Sequence, residues 1–77
     1  MRLKPHSLWL LTYVAQRMRE TGGGGYCNHL PLPPDAPIGL SMSTMRGLQK
    51  RGLVEEFISG CFRPTEQGLR YLTEVNL

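Results

Sequence analysis

The first apolar pattern along the chain has the spacing of an amphipathic α-helix. Apolar residues recur every three or four positions over residues 7–20, so they share one helical face. Ser7 is a residue type that caps helix N-termini, and Gly22 is one that ends helices. The sequence therefore predicts a first helix over residues 7–20. The apolar residues at this spacing are Leu8, Leu11, Ala15 and Met18, with Val14 beside them.

Residues 22–39 interrupt this pattern. The segment holds five glycines and four prolines, and these residue types disfavour a regular helix. We expect a long Gly/Pro-rich loop here. It has room for a strand-like stretch, or for a short helical turn near residues 35–39.

A second helix is predicted from Ser41 or Ser43 to Arg51, and Gly52 closes it. Met45 and Leu48 share one face of this helix. A rotation of about 100° per residue places polar and basic residues on the opposite face. These residues are Ser43, Arg46, Gly47 and Lys50, with Thr44 and Arg51 along the edge.

After the second helix the apolar period changes to that of a strand. Two β-prone runs, residues 54–58 and 61–63, flank Ser59 and Gly60, which form a two-residue hairpin signal. Pairing around this turn sets Ile58 against Cys61, Phe57 against Phe62, and Glu56 against Arg63. We expect the two phenylalanines to cap the core, and the carboxylate and guanidinium to form an ion pair.

A third helix is predicted to begin at Thr65. Leu69, Leu72 and Val75 form its apolar strip, and Glu66 is favourable in its first turn. Three helices and one hairpin within 77 residues predict a single α+β domain over residues 1–77.

Composition and charge narrow the possible partners. No apolar run approaches the ~20 residues of a membrane span, so we expect a cytoplasmic protein with no membrane partner. Two cysteines are few for a disulfide-stapled domain of this size, which favours reduced thiols. The net charge is +3, and residues 1–20 and 41–51 carry +3 each. A basic second helix is compatible with a nucleic-acid partner.

Two short motifs flank the hairpin. Gly52-Leu53-Val54 ends the second helix, and Pro64-Thr65-Glu66-Gln67-Gly68 follows the second strand. In order and spacing this region resembles the winged helix-turn-helix domain of small bacterial transcription regulators of the MarR and PadR type. Their second motif has Leu where this chain has Pro64. The helix that precedes the recognition helix in those families would fall within residues 26–39, where prolines leave room for a turn or two.

The resemblance implies a small winged helix with three helices and a two-stranded hairpin wing. It also implies sequence-specific binding of double-stranded DNA, with residues 41–51 as the recognition helix in the major groove. The second helix suits this role, because it combines short polar residues at its start, basic residues for phosphates and an apolar back. The expected DNA-binding residues are Ser41, Ser43, Thr44, Arg46, Gly47, Lys50, Arg51 and Arg63.

Other functions remain open at this stage. The chain could be an excisionase-like architectural factor of a phage or mobile element. It could also be a winged helix used for protein contacts, with Trp9 and Tyr13 as anchors and the acidic pair Glu55 and Glu56 in support. The same two aromatic residues are the expected contacts of a weak homodimer.

Metal and enzyme chemistry have little support in the sequence. Cys27 and His29 lack the local spacing of zinc ligand pairs, and neither Cys61 nor His6 completes a second pair. A Cys–His catalytic pair would lack a supporting third group. We therefore expect no metal, no cofactor and no enzymatic activity.

Overall fold

The N-terminal apolar stripe forms the longest helix in the computed structural model, which describes residues 2–75. This helix, α1 (Pro5–Glu20), begins two residues earlier than predicted because Pro5 occupies its first turn, where no amide proton is needed. The Leu8 amide donates to the Lys4 carbonyl at 2.9 Å, so Lys4 and not Ser7 is the N-cap. The buried residues of α1 are Leu10, Leu11, Val14 and Ala15.

The loop that follows α1 contains a short strand, β1 (Tyr26–Cys27). The remaining elements are α2 (Met42–Lys50), β2 (Val54–Ile58), β3 (Cys61–Pro64) and α3 (Glu66–Val75). Strands β1 and β2 each pair antiparallel with β3, so the strand order is β1-β3-β2. The fold is therefore α+β as expected, but its sheet has three strands, whereas a two-stranded hairpin was predicted.

The hairpin register differs from the predicted one by a β-bulge. Ile58 opposes Cys61 as expected, but the register then shifts, so that Glu56 opposes Phe62 and Glu55 opposes Arg63. The predicted pairs Phe57–Phe62 and Glu56–Arg63 are therefore wrong. A regular register would turn Val54 away from the core, and the extra residue keeps Val54 on the same face as the fully buried Phe62.

The expectation of two reduced thiols is also wrong in this structure. Cys27 and Cys61 are joined by a disulfide bond across the β1–β3 pair. The two residues are 34 positions apart in the sequence. Only the pairing of β1 with β3 brings them together.

The third helix begins where the sequence predicts it. The Gly68 amide donates to Thr65 Oγ1 at 3.1 Å, and the same hydroxyl donates to the Gly52 carbonyl at 2.5 Å. Thr65 therefore caps α3 and ties it to the end of α2. Leu72 is buried, whereas Val75 is exposed, so the predicted apolar strip is buried only in part.

One apolar core lies between the three helices and the sheet. Its members are Leu3, Leu10, Leu11, Val14, Ala15, Tyr26, Met45, Leu48, Leu53, Val54, Phe62 and Leu72. None of the helices in residues 2–75 has both the length and the apolar character needed to cross a bilayer.

Candidate nucleic-acid interface

The second helix has one buried face and one exposed face. Met45 and Leu48 are almost fully buried, and they pack α2 against the core. The opposite face carries no apolar side chain, which agrees with the helical spacing of the apolar residues in the sequence. Seven of the predicted DNA-binding residues are exposed and one is half-buried: Ser41, Ser43, Arg46, Gly47, Lys50, Arg51 and Arg63 are exposed, and Thr44 is half-buried.

Short hydroxyl side chains surround the start of α2. Ser41 is the N-cap residue, and its Oγ lies 2.7 Å from the Oγ of Ser43. The Ser41 carbonyl accepts a hydrogen bond from the Thr44 amide at 3.0 Å. The Ser41 hydroxyl makes no capping bond, so both hydroxyls remain at the surface.

Arg46 is the best-anchored cation of this surface. Its Nη1 donates to Gln49 Oε1 at 2.7 Å and to Glu56 Oε1 at 2.8 Å. The guanidinium carbon lies 5.3 Å from the centre of the Phe62 ring. These contacts hold Arg46 against the hairpin, where its charge is balanced by a carboxylate.

The same network perturbs Glu56. The hydrogen bond from Arg46 holds the pKa of Glu56 below its ordinary value, and a second bond from the Gly60 amide acts in the same direction. The Gly60 amide lies 2.7 Å from Glu56 Oε2. Glu56 is therefore a charged acceptor near neutral pH, and it joins α2 to the turn of the hairpin.

Arg63 is not brought onto the face of α2. Successive residues of a strand point to opposite faces, and Phe62 is the residue that meets Arg46. Arg63 lies on the other face, where its Nε donates to Glu55 Oε1 at 2.7 Å and its guanidinium carbon lies 5.0 Å from the centre of the Phe57 ring. Of the predicted site residues, it is the one that the hairpin separates from the helix.

The C-terminal end of α2 carries two cations without such partners. Lys50 is in the last turn, and Arg51 is the C-cap residue. Within residues 2–75, no carboxylate lies within 4.0 Å of either side-chain charge. These two charges are therefore available to an external anion.

Gly47 lies in the middle of the exposed face. A Cβ built on this residue would meet no heavy atom within 4 Å, and its φ is not positive. Each of the other glycines has either a positive φ or a neighbour that a Cβ would press upon. Nothing in the described fold accounts for glycine at position 47.

The aromatic residues of α1 belong to a different part of the molecule. Trp9 and Tyr13 stack with their ring centres 5.2 Å apart, and Tyr13 meets Tyr26 edge-on at 5.7 Å. Both are half-buried against the core, and with Pro33 they line a groove. The proposed protein contact therefore has no residue in common with the face of α2.

Sequence reasoning missed two members of the α2 network. Gln49 could have been found, since it lies three residues after Arg46 and shares its helical face. Glu56 was assigned to Arg63, and only the β-bulge directs it to Arg46.

The metal candidates are scattered. His6 Nε2 lies 3.1 Å from the Ile38 carbonyl oxygen, His29 is exposed, and the two cysteines are bonded to each other. In the part of the chain that the structure describes, no group of three or more His, Cys, Asp or Glu residues is placed to hold a metal ion.

Comparison of the chain with protein-family models, with curated proteins and with solved structures gives no match.

Proposed function

We propose that this chain is a small DNA-binding domain that places the exposed face of α2 in the major groove of double-stranded DNA. The residues of this face that we assign to the DNA contact are Ser43, Gly47, Lys50 and Arg51, and they are called the α2 surface below. Arg46 shares the face but is left out because its charge is paired with Glu56. A small transcriptional regulator is the simplest role for such a domain.

Gly47 is the observation that carries this proposal. Glycine in a helix interior costs about 1 kcal/mol relative to alanine. Most glycines in this chain are required by their backbone angles or by close neighbours, but Gly47 is free of both constraints. A partner that approaches the helix backbone closely would explain the missing Cβ, and a base edge or a phosphate group in the groove is such a partner.

The chemistry around Gly47 fits the same partner. A hydroxyl such as that of Ser43 can form a hydrogen bond with a donor or with an acceptor on a base edge. Cations such as Lys50 and Arg51 bind phosphates. The major groove is about 12 Å wide, which admits one helix with its side chains. Buried Met45 and Leu48 fix the orientation of α2, so the polar face is presented as a rigid surface.

The order of elements is compatible with a winged helix. The β2–β3 hairpin follows α2 directly, in the place where the resemblance puts the wing. Two turns, Ala36 to Pro33 and Leu40 to Pro37, stand where the preceding helix would lie. The hairpin tip has no cation, and Arg63 is paired with Glu55, so we assign the DNA contact to α2 alone.

The salt dependence of binding tests this proposal. The variant Lys50→Gln/Arg51→Gln removes two charges from the α2 surface. The control variant Arg19→Gln/Arg70→Gln removes two exposed charges from α1 and α3. For duplex DNA, each lost phosphate contact should flatten the slope of log affinity against log salt by about 0.9.

We therefore expect the α2 variant to bind duplex DNA more weakly, with a slope that is shallower by about 1.8, whereas the control keeps a slope close to that of the wild type. Equal slopes in the two variants would mean that binding follows net charge. Absence of duplex binding by the wild type at low salt would remove the proposal.

A further inference from the structure

The Cys27–Cys61 disulfide lies at one end of a segment that has no regular secondary structure. This segment, residues 28–41, is called the strap below. It leads from β1 to the N-cap of α2 and contains four prolines, and the structure gives it neither helix nor strand. Its fixed ends are the disulfide on one side and Ser41 on the other.

Few hydrogen bonds order the strap. The Asn28 amide donates to the Gly60 carbonyl at 2.8 Å, beside the disulfide. The Leu30 amide donates to the Cys27 carbonyl at 3.0 Å, and the Leu30 carbonyl accepts a hydrogen bond from the Tyr26 hydroxyl at 3.1 Å. Further along, Ala36 and Leu40 close two isolated turns, and the Ile38 carbonyl contacts His6. Strand β1 has only two residues, so it pairs with β3 at two positions, of which Cys27–Cys61 is one.

The strap contacts the core through Leu30, Leu32 and Leu40, but this contact is incomplete. An open pocket of about 290 Å³ separates Leu32 and Leu40 of the strap from Met42 and Met45 of α2. Close packing is what normally fixes a loop on a core, and here part of that contact is missing. The strap is therefore a segment whose order is most sensitive to the bond at its origin.

We infer that Cys27–Cys61 is a site of reversible thiol–disulfide exchange that controls the order of the strap. A thiolate of a small thiol or of a dithiol protein attacks one sulfur, forms a mixed disulfide and releases the other cysteine as a thiolate. A second reductant thiolate then attacks the reductant sulfur of the mixed disulfide, so that a reductant disulfide forms and the remaining protein cysteine leaves as a thiolate. In total, the disulfide takes up two electrons and two protons to give two thiols, and two reductant thiols become one disulfide. Both cysteines are half-buried, so each is partly open to solvent.

Reduction releases β1 and the strap, and the effect reaches α2 through Ser41. The hydroxyl pair of Ser41 and Ser43 lies at this junction. The oxidised protein thus presents an ordered start of α2, and the reduced protein presents a disordered one. The resulting loss of DNA affinity on reduction rests on the proposed function, whereas the change in the strap does not.

Amide hydrogen exchange of the chain in its oxidised and reduced forms tests the inference. The reporters in the strap are the bonded amides of Asn28, Leu30, Ala36 and Leu40. We expect their protection to fall at least ~10-fold on reduction, while the core amides of α1 and α3 remain protected. Reoxidation with a small-molecule disulfide should restore the protection.

The double variant Cys27→Ser/Cys61→Ser is the control. It should resemble the reduced wild type and should not respond to reductant. Unchanged strap protection on reduction would overturn the inference. Loss of protection throughout α1 and α3 would also overturn it, because the disulfide would then stabilise the whole fold and not the strap alone.

Duplex DNA titrations of both redox states complete the test. Weaker binding by the reduced protein supports the link to α2, and equal binding by both states overturns that link. If neither state binds DNA, the proposed function fails, and the exchange data still decide whether the strap responds to the disulfide.

Discussion

Gly47 on α2 and Gly68 on α3 differ in the space that a Cβ atom would have. A Cβ on Gly68 would collide with the carbonyl oxygen of Leu53, which packs directly against the backbone of α3. A Cβ on Gly47 would point into open solvent. One glycine is therefore required by internal packing, whereas nothing in the described fold requires the other.

Alanine at these two positions should accordingly have effects of opposite sign. We expect Gly47→Ala to raise the free energy of unfolding by about 0.5–1 kcal/mol, because alanine is the better helix former. Gly68→Ala should lower the free energy of unfolding by about 1–3 kcal/mol, because the backbone of α3 must move away from the Leu53 carbonyl. Chemical denaturation of both variants measures these changes.

Gly47→Ala should also weaken duplex DNA binding about tenfold, a change equivalent to about 1.4 kcal/mol. A variant that is more stable and binds less tightly cannot owe its weaker binding to unfolding. If Gly47→Ala is stabilised but binds DNA as tightly as the wild type, no partner approaches the helix at this point.

At the scale of elements, Arg46 and Glu56 connect α2 to the hairpin. The two side chains meet at 2.8 Å, and the Gly60 amide adds a second bond to the carboxylate. Both bonds favour the charged carboxylate and lower the pKa of Glu56 below its ordinary value of 4.5. The stabilisation is therefore present above that value and is lost as the pH falls through the lowered native pKa.

We expect the wild type to lose stability as the pH falls below 4.5 and through the lowered pKa of Glu56, and Glu56→Gln to lose less over the same range. The control Glu74→Gln makes the same chemical change at an exposed carboxylate of α3 and should keep the decline of the wild type. Chemical denaturation at a series of pH values measures the free energy of unfolding of all three proteins. A decline in Glu56→Gln as steep as that of the wild type would show that this network contributes nothing.

Elements with a local signal could be predicted from the sequence. The apolar periods place all three helices, and Thr65 marks the start of α3 correctly. The β-bulge could not be predicted, because it follows from the burial of Val54 against the core. Strand β1 has only two residues, too few to show an alternating apolar pattern. The sequence therefore indicates no more than a loop that has room for a strand-like stretch.

The candidate site shows the same division. Helical rotation alone places Ser43, Gly47 and Lys50 on the exposed face of α2. The pairing of Arg46 and the separation of Arg63 depend on the strand register, which the local residue pattern does not reveal. The disulfide depends in turn on β1, so it could not be derived from the number of cysteines.

For the whole molecule, the α2 surface and the aromatic pair of α1 are separate features. Under the proposed function, a single helix of nine residues would make few contacts with one DNA half-site, and pairing of two copies would raise the affinity. A weak homodimer through Trp9 and Tyr13 remains a prediction. Their stack is half-buried, and the part that stays open is the surface such a dimer would use.

Chemical-shift mapping is the most direct test of the proposal that α2 binds DNA. The oxidised, ¹⁵N-labelled protein is titrated with random-sequence duplex DNA at low salt. The largest shift changes should occur at the amides of Ser43, Gly47, Lys50 and Arg51, and they should diminish as salt is added. Shifts that are absent, or that are concentrated at Trp9 and Tyr13 while α2 is unaffected, would contradict the assignment of α2 as the DNA-binding element.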